Sequence, residues 1–171
     1  MKTSGTAFGA AGGVKLVIFQ LGVDLFAADV LAVDRVLRYS PPNSVPDVPK
    51  WVEGVTEHRG EVIPVIDLRR RIELAEATIT PETRTLVLNT SNGRVGAIVD
   101  AVLEVAVVPA ESMSPPPALL KGVATDVVRA VTKVRDQLVV VLDVDRVMWN
   151  ADRIVVEHAS QDWGVGDAAV D

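Results

Sequence analysis

The sequence predicts an all-β fold of two five-stranded β-barrel subdomains packed side by side, with short helices. Three observations predict it. The apolar segments are short, rich in valine and closed off by Gly, Pro, Asn or Asp, which is the composition of strands and turns. Helical periodicity is confined to two brief stretches. The order of the parts recurs in the two halves of the chain, so a unit of about five strands is used twice. A sheet that small removes its raw edges best by closing on itself.

Residues 1–13, "MKTSGTAFGAAGG", hold one lysine and no bulky apolar run, and read as a flexible leader without a signal-peptide core. Strands are expected at 14–21, 25–31, 33–39, 52–57 and 61–66, and again at 84–90, 93–99, 101–108, 120–126, 128–134 and 137–142. Helices are expected at "DLRRRIELA" (67–75) and "DVDRVMW" (143–149), each opened by an aspartate suited to an N-cap. "SPPNSVPDVPK" (40–50) and "AESMSPPPALLK" (110–121) are proline-stiffened loops, each within its own barrel. The polar stretch "ELAEATITPET" (73–83) is the link between barrels. Subdomain 1 is then placed at about 14–75 and subdomain 2 at about 84–149, with 151–171 as a mobile acidic tail.

The repeat rests on three alignments. "FAADVLAVDRVL" lies over "VGAIVDAVLEVA", placing Val33 on Val102. "WVEGV" lies over "LLKGV", placing Gly54 on Gly122, and "VIPVIDLRRRI" lies over "LVVVLDVDRVM", placing Asp67 on Asp143.

Composition narrows the function. With 49% hydrophobic and 23% charged residues among 171, there is enough apolar surface to offset the entropy of ordering the chain. A net charge of −6 argues against nucleic acid or an anionic membrane surface as partner, since both need a dense cationic face. The absence of cysteine excludes disulfides, thiolate nucleophiles and Cys-ligated zinc. Apolar runs such as "LVVVL" (138–142) are far shorter than a membrane span, so no membrane insertion is expected. The expected partners are proteins, in the cytoplasm.

No seat for catalysis, cofactor or metal is visible. Asp67, Asp100 and Asp143 each follow two aliphatics and read as carboxylates that accept backbone N–H bonds where a strand turns into a helix or loop. A small β-barrel hydrolase is the competing class, and it needs those three to converge in one cavity. His58 and His158 have no metal-type spacing, and His58 reads as a surface loop residue. No GxSxG elbow occurs, and "GAAGGVK" precedes a strand where a phosphate loop would follow one. Arg69, Arg70 and Arg71 read as a solvated helix face. Arg59 differs: it sits with Gly60 on a tight turn leading into a buried strand, so its side chain must leave the core. An exposed arginine beside apolar surface is a good interface anchor.

"GVTEHRGEVIPVIDLR" (54–69) resembles the signature of the CheW family of chemotaxis adaptors, with its Gly-Val opening, Arg-Gly turn, apolar strand and Asp-Leu-Arg ending. "FQLGVDLFAADVLAVDRVL" (19–37) is similar to the family's opening hairpin, and "RVGAIVDAVLEV" (94–105) to its second-half hairpin. "LLKGVA" with "LVVVLDVDRVM" is similar to its closing strands, so the match spans 14–149. The resemblance implies two SH3-like barrels and a non-catalytic adaptor without cofactor. It implies two partners: the cytoplasmic tips of methyl-accepting chemoreceptors and the regulatory domain of a CheA-type histidine kinase. A groove between the barrels would take a receptor helix hairpin, leaving the barrel ends for the kinase. Carried over to this chain, the partner-binding residues are Arg59 and Gly54 in the signature turn, Val33 in the first hairpin, and Gly96 and Val102 in the second. Three departures stand at or beside contact positions: Glu57 and His58, where the family has a neutral or amide residue and then an aliphatic, and Arg35, where an acid is common. A module that binds the kinase alone and sequesters it is the alternative within the same family.

Overall fold

A computed structural model describes residues 13–72, 78–117 and 127–148. The expected leader, the strand at 120–126, the acidic tail and His158 lie outside them. The described chain runs β1 (Val14–Leu21), β2 (Asp24–Asp29), β3 (Val33–Arg38), β4 (Val52–His58), β5 (Glu61–Asp67), α1 (Leu68–Arg71), β6 (Arg84–Thr90), β7 (Gly93–Val99), β8 (Ala101–Val108), β9 (Val128–Val134), β10 (Gln137–Leu142) and α2 (Val144–Met148). Ten of the expected strands are present. β2 stops short of the expected 31 because the Asp29 carboxylate accepts a hydrogen bond from Leu31 N at 2.9 Å and starts a 3-10 turn. Asp67 caps α1 as expected, accepting from Arg69 N at 3.0 Å.

The all-β fold of two five-stranded, SH3-like sheets is what the chain forms, with orders β8-β1-β2-β10-β9 and β3-β6-β7-β5-β4. The boundaries at 14–75 and 84–149 are corrected by this topology. One sheet joins the β1–β2 hairpin to three strands from the second half, and the other joins the β6–β7 hairpin to three strands from the first. Replacing each strand by its repeat partner converts one sheet order into the other, so the repeat is real but its halves exchange elements. Exchange leaves one parallel pairing in each sheet, β10 with β2 and β5 with β7.

The physical reason lies in the core. The larger apolar cluster draws Phe19, Leu21, Phe26 and Ala28 from one sheet and Ile66, Leu86, Leu88 and Val95 from the other. A second, smaller cluster around Leu16, Ile18, Val139 and Val141 fills the first sheet alone. Residues of both hairpins thus leave water together in one shared cluster, which favours the arrangement through apolar burial.

The structure also corrects one alignment. Residues 52–67 correspond to 128–143 without a gap: Asp67 N donates to Trp51 O at 2.7 Å and Asp143 N to Val127 O at 2.8 Å. Gly54 therefore corresponds to Ala130, not Gly122. The described parts of the proline loops, 40–50 and 110–117, lie along strand edges. Asn43 exchanges two backbone bonds with Val55 on β4, and Ser114 does the same with Val131 on β9. Each loop thus covers part of an outer edge, leaving β3 and β8 as edges without a further ladder among the described residues.

Candidate functional site

The two signature turns close equivalent hairpins. Arg59 (φ 54°) and Gly60 (φ 79°) link β4 to β5, and Arg135 (φ 51°) and Asp136 (φ 67°) link β9 to β10. Two successive left-handed residues suit a two-residue hairpin turn, whose twist matches that of its strands. Holding a non-glycine residue there costs about 1–2 kcal/mol. The equivalent arginines then part company. Arg135 pairs with Glu104 on β8, whereas exposed Arg59 has no ion pair or hydrogen bond among the described residues. The expected outward turn arginine is thus present and available.

Three other candidate residues fall on one row across the second sheet. Gly54 stands opposite Val65, Val65 opposite Gly96, Gly96 opposite Val87, and Val87 opposite Arg35. Gly54 (φ 148°) is buried, and a Cβ there would lie 1.9 Å from Asn43 O, because the proline loop crosses its face. A Cβ on buried Gly96 would lie 3.0 Å from Thr85 Cγ2. Both glycines are packing positions, so they shape the sheet instead of presenting atoms to a partner. At the end of the row, the Arg35 guanidinium is held by Asp34 at 3.0 Å. Asp34 is also approached by Arg94, which bonds Glu61 at 2.7 Å.

Val33 and Val102 occupy equivalent places on β3 and β8, and each packs half-buried against the cluster shared by the sheets. His58 is not a loop residue: it ends β4 opposite Glu61, half-buried, with Nε2 buried and without a hydrogen bond among the described residues. Arg59 lies five residues beyond Gly54, about 16 Å along the strand. The candidates therefore form a turn, a row and a pair of seam valines, not a single pocket.

Two features were missed from the sequence. Leu103, Val105 and Val107 on β8 are each about half exposed (48%, 56% and 55%), making an apolar stripe beside Val102. The run "AVLEVAVV" gave no hint, since an almost continuous apolar strand reads as buried on both faces. Arg69 and Arg71 are not a solvated face. They are 7% and 6% exposed, and only Arg70 is exposed. Arg69 bonds Asp100, while Arg71 stacks 5.2 Å over the Trp51 ring and donates to Val147 O at 2.7 Å. A four-residue helix wedged at the seam has no solvent side for all three.

The carboxylates that a hydrolase would need are occupied and dispersed. Asp67 caps α1, Asp100 accepts from Gly22 N at 2.6 Å and from Arg69, and Asp143 accepts from Arg146 N at 3.2 Å. A cavity of about 280 Å³ is lined by Asp143 with Asp29, Leu31, Arg129 and Asp145, but by neither of the other two. Burial pushes the Arg129 guanidinium below its ordinary value, with Asp29 and Asp143 pulling the opposite way. Among the described residues no helix is long and apolar enough to cross a membrane.

Comparison with known proteins follows the same lines. The CheW-like domain model matches residues 15–151. The chain is 34% identical over 138 residues to the chemotaxis protein CheW of Bacillus subtilis (strain 168), covering 80% of this chain and 87% of that one. It is 30% identical over 136 residues to CheW of Treponema pallidum (strain Nichols), covering 77% and 80%. The crystal structure of the scaffolding protein TtCheW from Thermoanaerobacter tengcongensis superposes with a TM-score of 0.76 at 27% identity, covering 81% of this chain and 94% of that one. The exchanged sheets, the Arg-Gly turn and these matches agree, and the chain belongs to the CheW family of chemotaxis scaffold proteins.

Proposed function

We propose that this chain is a non-catalytic coupler that bridges the cytoplasmic tips of methyl-accepting chemoreceptors to the regulatory domain of a CheA-type histidine kinase. It acts in the cytoplasm, at membrane-bound receptor arrays. The observation that carries the reading is the asymmetry of the twin turns: Arg135 is neutralised by Glu104, while Arg59 projects outward with its donors free among the described residues. A guanidinium on a fixed turn gives orientation and partner choice more than raw affinity.

The β8 stripe of Leu103, Val105 and Val107 supplies the apolar ground that an amphipathic receptor helix needs. It continues the face of Val102, so the seam side of β8 is the receptor surface in this reading. Gly54 leaves room for the proline loop over β4 and Gly96 for Thr85, in the same row of the sheet as Arg35. Pull-down of the purified chain with receptor tips and kinase, separately and together, tests the proposal. A ternary complex supports the coupler. Binding of the kinase alone would replace it with a sequestering module.

A further inference from the structure

Arg38 and Arg84 stand directly opposite each other on β3 and β6. Like charges at such a cross-strand position destabilise a sheet, since the two side chains share one face. The fold does not require the arrangement, because the equivalent pair in the first sheet is Val107 opposite Lys15. Nothing in the described residues neutralises it. Arg84 Nη1 donates to Pro81 O at 2.8 Å and Thr83 O at 2.9 Å, which positions the guanidinium without cancelling its charge. The exposed Arg38 guanidinium makes no hydrogen bond, and neither arginine has a carboxylate within ion-pair distance, among the described residues. Arg38 sits on the edge strand β3, which carries no further ladder among the described residues, with Arg84 on its inner neighbour β6 and Val36, 42% exposed, two residues away.

We propose that the Arg38–Arg84 pair and Val36 form a docking surface on the β3 edge for an acidic segment of a partner protein. Two guanidiniums on one face offer parallel donors that match carboxylates, and the free edge offers backbone groups to an extended chain. The chain's net charge of −6 makes this local cationic face selective, because acidic segments are repelled elsewhere. This surface does not depend on the coupling role, and its test uses neither kinase nor receptor.

An oligoglutamate peptide is titrated at low salt into the isotope-labelled chain while backbone amide resonances are followed. Saturable shifts are expected at residues 36, 38 and 84, weakened about tenfold by Arg38→Glu or Arg84→Glu and unchanged by Arg59→Glu. The unfolding midpoint of Arg38→Gln should equal or exceed that of the parent, since repulsion is removed. Shifts centred on other arginines, shifts indifferent to Arg38→Glu and Arg84→Glu, or a lowered midpoint in Arg38→Gln would each overturn the assignment.

Discussion

Arg69 and Asp100 meet at 2.5 Å where the two sheets adjoin, and the same carboxylate accepts the Gly22 amide from the β1–β2 turn. One ion pair thereby ties α1, the β7–β8 junction and a hairpin turn of the opposite sheet. Its partners are 9% and 22% exposed at the side chain, so solvent screens it poorly.

Removing one member should weaken the seam. Asp100→Ala is expected to cost about 3 kcal/mol in denaturant unfolding, because it removes a carboxylate that bonds both the buried Arg69 guanidinium and the Gly22 amide. The double replacement Arg69→Met with Asp100→Leu should recover most of that loss. Additive single effects would show that the pair is not coupled.

Arg71 fastens the two short helices. Replacing it by alanine removes the bond to Val147 O and the stacking over Trp51, and should cost about 2–3 kcal/mol. Arg71→Lys should recover less than half, since an ammonium cannot both stack flat and donate sideways. Chemical unfolding of the three proteins checks the order.

Gly54 is predicted to be intolerant of any side chain. Gly54→Ala drives a Cβ into Asn43 O and should cost about 2–3 kcal/mol, chiefly by detaching the proline loop from β4. Faster amide exchange at Val55 and Asn43 in that variant would locate the damage. Gly54→Trp should abolish receptor-stimulated kinase activity, and a parent-like melting temperature with normal activity would count against this.

Arg59 should show the reverse dissociation of stability from function. Arg59→Gly relieves the left-handed backbone and is expected to leave stability unchanged or raise it by up to about 1 kcal/mol. Arg59→Glu should keep the parent melting temperature. Both should lose receptor coupling in a reconstituted kinase assay, and full coupling by Arg59→Glu would refute the docking role.

Much of the architecture was readable along the chain. Turn residues at Gly22, Gly60 and Gly93, and the short valine-rich runs between such turns, fix strands to within a residue or two, because those preferences are local. The Arg-Gly dipeptide placed Arg59 on an outward turn for the same reason. Burial of Arg69 and Arg71 was not readable, since whether a short helix faces solvent depends on what lies across from it. Nor did sequence reveal that Gly54 is a glycine on account of Asn43, a contact made only once the loop folds back.

The ten described strands, the doubled unit and the Arg59–Gly60 turn could be read from the amino-acid sequence alone. The exchange of hairpins between the halves, the pairing of Arg135 with Glu104 and the exposure of Arg59 without such a pair among the described residues appear only in the folded molecule. The reason is symmetry: two similar halves have the same local preferences whether they pair within themselves or with each other. The apolar faces buried together in the shared core, with the Arg69–Asp100 contact across it, separate those outcomes in energy.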